Sequence, residues 1–219
     1  VITDEEQLYN YSYDEVTDLK WRHLPELVVK PENTSQVSQI LQVANRERIP
    51  VTPRGAGTGL AAGAVSFQGG IILSLEKMNK ILELDLDNLF MVVEPGVTTA
   101  EVQRCAQEAG LLYAGDPCSA DSSFIGGNIA TNAGGNKAIK YGVTSHHVFG
   151  LEVVMATGEV ALLGGKTIKE TAGYDLIHLM VGSEGTLGIV TRIYLRLLPR
   201  PKFNGVILAP FSDIKSSID

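Results

Sequence analysis

Glycine constrains this chain more than any other residue. Twenty-three glycines stand against nine prolines, and they are gathered rather than dispersed. They crowd into Gly55–Gly70, Gly126–Gly142 and Gly182–Gly188, each bounded by apolar segments. A flexible linker spreads its glycines through polar, low-complexity sequence, and these do not. Glycine clustered between apolar runs marks backbone at positive φ, or backbone that something else approaches closely. The chain has to fold around three stretches of bare main chain.

The remainder reads as ordinary globular sequence. A length of 219 residues suits one large domain or two small lobes. Such a chain buries roughly 70% of the surface its unfolded form exposes. Hydrophobic residues at 44% and charged residues at 20% give a normal core-to-surface balance. The net charge is −7, and Lys and Arg do not cluster, which excludes a nucleic-acid partner. No run of 18 apolar residues offers a membrane span. Val1–Tyr13 is acidic and lacks the basic start and apolar core of a secretory leader. Cys105 and Cys118 make neither a disulfide framework nor a metal site of familiar spacing, so no metal is expected. A reducing cytoplasmic location follows as the default.

Periodicity and caps place the elements. Asp4–Tyr11 reads as a short helix capped by Thr3, and Leu27–Val29 as a strand stopped by Pro31. Asn33 or Thr34 caps a helix from Ser35 to about Arg48, with Val37, Ile40, Leu41 and Ala44 on one face. Ile49–Thr52 and Gly70–Leu75 read as strands. Ile81–Leu86 and Leu89–Val93 form a hairpin across Asp87-Asn88. Thr98 or Thr99 caps a helix to Ala109, with Gly110 at C′. Leu111–Ala114 is a brief strand, Val148–Ala156 and Glu159–Leu163 pair across Thr157-Gly158, and Tyr174–Val181 is a short helix. Thr186–Leu198 is a long strand ended by Pro199 and Pro201. Asn204–Ala209 reads as a further strand and Asp213–Ile218 as a starting helix. The class is α+β, with one lobe over residues 1–95 and another over 96–201. Residues 202–219 read as the start of a further domain.

The three glycine segments carry the chemistry. Pro53-Arg54-Gly55-Ala56-Gly57-Thr58-Gly59-Leu60 follows a strand directly, and alternate glycines let its N–H groups converge on an anion. Thr58 adds a hydroxyl donor and Arg54 a charge, which suits a diphosphate. A Walker A loop needs Gly-Lys-Ser/Thr, which is absent, and the G-x-G-x-x-G spacing is not met. Ser122–Gly135 mixes small residues with amides and hydroxyls. A flat ring can lie on such backbone while Asn128, Thr131 and Asn132 bond its edges. Gly182–Val190 turns into a strand and resembles a ligand-contacting turn. Taken singly, each segment also fits a plain turn or a close helix contact.

In this order, the three segments resemble the FAD-linked oxidase family with the vanillyl-alcohol-oxidase (PCMH) type of flavin domain. Within it they are most similar to the flavin subunit of glycolate oxidase and to D-lactate and D-2-hydroxyglutarate dehydrogenases. Glu94-Pro95-Gly96-Val97, Gly115-Asp116-Pro117 and Gly173-Tyr174-Asp175-Leu176 support the likeness. The resemblance implies a two-lobed α+β domain with FAD between the lobes. Pyrophosphate would sit on Pro53, Arg54, Gly55, Ala56, Gly57, Thr58 and Gly59. Ser122, Gly126, Gly127, Asn128, Thr131, Asn132, Ala133 and Gly134 would line the flavin and its ribityl chain, with Asp116 and Pro117 beside them. Glu184, Gly188 and Ile189 would approach either the adenine–ribose side or the ring edge. Some relatives attach flavin through a histidine near the first loop; none stands there, so non-covalent FAD is expected. The implied activity is oxidation of a small 2-hydroxy acid to the 2-oxo acid. Electrons would leave to an iron–sulfur partner, a quinone or oxygen, and partner subunits could hold the protein peripherally at a membrane. Catalytic and metal ligands would lie in a C-terminal domain, since family chains run about twice this length. The alternatives are a different alcohol or sugar substrate, or a subunit that only carries flavin.

Other conspicuous residues read more plainly. His146-His147 on a strand would face opposite sides and not share an ion. His178 reads as a helix-packing residue, Cys118 as a small packing residue, Trp21 and Tyr174 as core, and Lys137 and Lys140 as solvated charges.

Overall fold

The computed structural model describes residues 1–16, 18–203 and 205–218. Three sheets and six helices organise them. Strands β1 (Leu27–Val29), β2 (Val51–Arg54) and β3 (Ile71–Ser74) form a parallel sheet in the order β1-β3-β2. All of β3 is buried, as the middle strand of a parallel sheet requires. The second sheet is antiparallel and has five strands: β4 (Ile81–Asp85), β5 (Phe90–Val93), β7 (Val148–Val154), β8 (Val160–Gly164) and β9 (Ile189–Arg196). Their order is β4-β5-β9-β7-β8. A short antiparallel pair joins β6 (Leu111–Leu112) to β10 (Leu198–Pro199). Strand β5, which precedes residue 95, pairs with β9, which follows it, and β4 joins the same sheet through β5.

Local chemistry explains the helices. In α1 (Glu5–Tyr9) the cap is Asp4, not Thr3; its carboxylate accepts from the Gln7 amide at 3.1 Å. Asn33 caps α2 (Thr34–Glu47) and Thr98 caps α3 (Thr99–Glu108). Ala109 ends α3, and Gly110 at φ +74° turns the chain away. Helix α2 packs Val37 and Leu41 against Leu73 of the parallel sheet and against Val154 and Ile189 of the antiparallel one. It thereby joins the two sheets, and Thr34 adds a 2.6 Å bond to the buried Glu152 carboxylate. Helices α3 and α4 (Ile125–Thr131) cover one face of the five-stranded sheet, placing Val102, Ile125 and Ile129 among Met91, Leu151 and Ile193. Burying such side chains contributes on the order of 1.5–3 kcal/mol each. Helix α5 (Ala138–Tyr141) is a single turn, and α6 (Leu176–Met180) leads into the third glycine segment.

Several expectations change. The β4–β5 connection spans four residues, because Asp85 pairs with Phe90, and Leu89 takes φ +59°. The wider turn is held by Asp85, whose carboxylate accepts from the Asn88 backbone and side-chain amides. Asn204 lies outside the described residues; Gly205–Ala209 is exposed and unpaired, and a 3-10 turn at Lys215–Ser217 replaces the helix that Asp213–Ile218 suggested. His146 and His147 sit on a 3-10 turn, Thr144–His147, rather than on a strand. Trp21, Tyr174, Cys118 and His178 are exposed, not core. His178 instead bonds Asp175, the cap of α6, at 2.7 Å. Among the described residues no helix is long and apolar enough to cross a membrane.

Candidate functional site

The first glycine loop leaves the C-terminal end of β2, where the Leu75 amide bonds the Arg54 carbonyl at 3.0 Å and ties the loop to the end of β3. Crevices outside strand C-termini are where open α/β sheets hold ligands. Gly57 is at φ +76°, so the loop doubles back at that point. Its partner is the second segment. A Cβ added to Gly55 would lie 3.6 Å from the Gly127 amide nitrogen, in ordinary contact. The third segment closes the group. The amides of Gly182 and Glu184 bond the carbonyls of Ile129 and Ala130 at 2.9 and 2.8 Å. Gly185 packs so closely on Pro53 that a Cβ there would come within 2.5 Å of the proline ring. The Glu184 side chain reaches across to Gly63 at the far end of the first loop.

The three glycine segments, far apart in sequence, therefore bound one cleft. Pro53, Arg54 and Gly55 line one wall, Gly126 and Gly127 another, and Glu184, Gly188 and Ile189 the third. Sequence reasoning missed Leu75 and Met180, which lie outside the three segments, and did not single out Ile129 and Ala130 within the second. They carry no polar signal, and only their place beside glycine segments could have revealed them. Pro95, from the turn Glu94-Pro95-Gly96-Val97, also lines the cleft.

Not every predicted residue faces the cleft. Asn128 turns inward: its amide donates to the Thr99 hydroxyl at 2.6 Å in the buried interior. Thr131 bonds the Gly127 carbonyl one turn back, and Ser122 is exposed. Asn132 takes φ +49° at the end of α4 and accepts from the Ser145 amide at 3.0 Å. The Ala133 carbonyl accepts from the Thr144 hydroxyl, while Gly134 is exposed beside Val143. Asp116 and Pro117 back onto Gly135, and Lys137 pairs with Asp116 at 3.3 Å rather than standing free. Ala56, Thr58 and Gly59 continue the first loop, half-buried.

Charge is placed at one end of the cleft. The Arg54 guanidinium is buried. Burial pulls it below its ordinary value, against the opposing pull of Asp14, Tyr11, Tyr13 and Glu76. Among the described residues no group of histidine, cysteine and carboxylate ligands could hold a metal. Open space lies beside Gly127, where an added methyl would meet nothing within 4 Å. With a buried cation against the first loop, glycine-rich backbone of this kind suits the approach of an anionic ligand.

Comparison with known proteins gives the cofactor. Residues 25–164 match the family described as FAD binding domain, and this chain belongs to that family. It is 45% identical over 207 residues to the glycolate oxidase subunit GlcD of Bacillus subtilis, covering 94% of this chain and 44% of that protein. It is 40% identical over 218 residues to a D-lactate dehydrogenase of Anaerostipes hadrus, covering 100% and 46%. A D-2-hydroxyglutarate dehydrogenase of Stutzerimonas stutzeri is 42% identical over 205 residues, covering 92% and 43%. The chain thus spans less than half the length of these relatives. An alkyldihydroxyacetonephosphate synthase structure shares the fold, with a TM-score of 0.80 at 24% identity, covering 92% of this chain and 38% of that one. The resemblance read from the glycine segments and the α+β class are both borne out.

Proposed function

We propose that this chain is the FAD-holding part of an oxidoreductase that converts a small 2-hydroxy acid, of the glycolate or D-lactate type, to the 2-oxo acid. The observation that carries the reading is the convergence of the three glycine segments on one cleft, in a chain whose relatives bear the names of such enzymes. FAD, when bound, supplies a two-electron acceptor for the hydride on the substrate's α-carbon. The chain's own part is binding and orientation. The Gly55–Gly59 amides would hold the diphosphate, with the Arg54 cation against the loop, and the bare backbone around Gly127 would let the ring system lie close. Gly188 and Ile189 would shield it from water on the third wall. Among the described lining residues Glu184 is the one carboxylate and there is no histidine. None of these lining residues is assigned as the base that takes the hydroxyl proton. An iron–sulfur protein or a quinone would remove the electrons. The absence of histidine from the first loop supports non-covalent attachment.

The test has two stages. FAD titrated into the chain should acquire the absorbance of a bound flavin, and acid precipitation should release it. Anaerobic addition of glycolate, D-lactate or D-2-hydroxyglutarate to the full-length protein should then bleach the visible flavin bands. A folded chain that ignores FAD would overturn the cofactor assignment. Bleaching by an unrelated alcohol or sugar, and by none of these acids, would overturn the substrate class.

A further inference from the structure

Arg54 does not simply point at the cleft; it lies beneath the first loop. A Cβ at Gly57 would stand 2.3 Å from its Nη2 and 2.8 Å from its Cζ, so the guanidinium fills the space that a side chain at position 57 would need. Nη1 donates to the Ala64 carbonyl at 3.2 Å, which fastens the two ends of the loop to one side chain. Among the described residues no carboxylate comes within ion-pair distance of this buried cation. Asp14 and Glu76 act on it only through space, so the cation is left without a direct ion pair for a ligand anion at the loop to meet.

The same side chain is held from the N-terminal segment. The Tyr11 ring lies 5.6 Å from the guanidinium carbon, at cation–π distance. The Tyr11 hydroxyl is anchored in turn by Glu76, at 3.1 Å. Three residues on, the buried Asp14 carboxylate has one oxygen bonded to the Val16 amide and the other without a partner. The Glu15 amide bonds the Gly59 carbonyl at 3.1 Å, so this segment grips the loop itself.

We infer that Arg54 is a positioning residue of the diphosphate site. It acts from below the loop through Gly57, and residues 11–15 hold both it and the loop in place. The cation sets the potential over the loop amides without occupying the space the anion needs. This inference rests on the assignment of the diphosphate to Gly55–Gly59.

The experiment compares Arg54→Met, Arg54→Lys, Tyr11→Leu and Gly57→Val by FAD fluorescence titration, with circular dichroism to confirm folding. ADP and adenosine serve as competing probes, because only ADP carries the diphosphate. Arg54→Met should weaken FAD and ADP at least tenfold and leave adenosine within twofold. Arg54→Lys, which keeps the charge at similar length, should recover to within about fivefold of the parent. Tyr11→Leu, which leaves the loop residues intact, should weaken FAD about threefold and serves as the test if Arg54→Met does not fold. Parent-like ADP binding by folded Arg54→Met overturns the inference, as does an equal loss for adenosine. With Arg54→Met unfolded, parent-like FAD binding by Tyr11→Leu overturns it. If Gly57→Val binds FAD like the parent, the loop assignment itself falls. A weak Gly57→Val beside a normal Arg54→Met removes only the role of Arg54.

Discussion

The first and second glycine segments look alike on paper and differ in the folded chain. In Pro53–Leu60 the middle glycine answers to its own loop: Gly57 has a positive φ and the Arg54 guanidinium against it. In Ser122–Gly135 two glycines answer to residues packed hard against them. A Cβ on Gly126 would strike Pro95 at 2.6 Å, and one on Gly135 would lie 1.7 Å from the Asp116 carbonyl oxygen. Only Gly127, between them, faces open space. One segment spends its glycines on the shape of a loop. The other spends most of them on close packing and keeps a single one for the cleft. Glycine density therefore locates a site without saying which glycine serves it.

The largest test of that contrast is Gly135→Ala. Backbone cannot yield as a flexible side chain can, so the cost should reach about 3 kcal/mol or more. A thermal melt should show a drop of roughly 6–12 °C. A melt within 2 °C of the parent would put Gly135 outside the packing role. Next comes Gly57→Val, which places a β-branched residue in the left-handed region. Folding should survive while FAD binding weakens at least about tenfold, or roughly 1.4 kcal/mol. Asn128→Ala should cost about 1 kcal/mol of stability through its lost buried bond to Thr99, and leave FAD affinity unchanged. A matching loss of affinity would show that Asn128 reaches the cofactor after all.

Gly127→Ala sharpens the comparison most, because two signs oppose. A glycine replaced by alanine inside α4 should raise stability by about 0.5–1 kcal/mol. The same methyl enters the cleft and should weaken FAD a few-fold, read by fluorescence titration beside a denaturation curve. The smallest effect is on pH. Burial, chiefly, and then the neighbouring His146 push the His147 imidazole below its ordinary value. A base with a lowered folded value binds its proton better when unfolded. Stability should therefore rise as pH increases toward the ordinary value near 6.5 and level off above it. His147→Leu should flatten that rise in denaturation midpoints measured between pH 5 and 7.

Elements with their own local signals were legible. Helices α2 and α3 had a cap, a repeating apolar face or a C′ glycine, and they fell where those marks put them. Helix α4 had none. Its sequence, Ile125-Gly126-Gly127-Asn128, opposes helix formation, and its first turn is secured from outside by bonds from Ile125 to Val97 and from Gly126 to Pro95. The exposed run Gly205–Ala209 shows the reverse: strand-like composition without a neighbour to pair with. Trp21 and Tyr174 were misjudged because aromatic character signals burial only on average. Within the site, the order of the glycine segments was readable, but the inward turn of Asn128 depended on Thr99, a contact across two helices.

The central strand of the large sheet has a bearing on how the molecule comes into being. Strand β9 lies between β5 and β7, and Val93 pairs with Ile193, one hundred residues on. During synthesis the hairpins β4–β5 and β7–β8 are complete long before the strand that unites them. At about 5–20 residues per second, the first hairpin waits on the order of 5–20 s for its neighbour. Through that interval the inner edges of both hairpins are bare, and closure carries the slow kinetics of distant pairing. The cleft belongs to the same late event, because Gly188 and Ile189 arrive on β9 and its approach. A nascent chain therefore acquires its cofactor pocket only when its sheet is nearly finished.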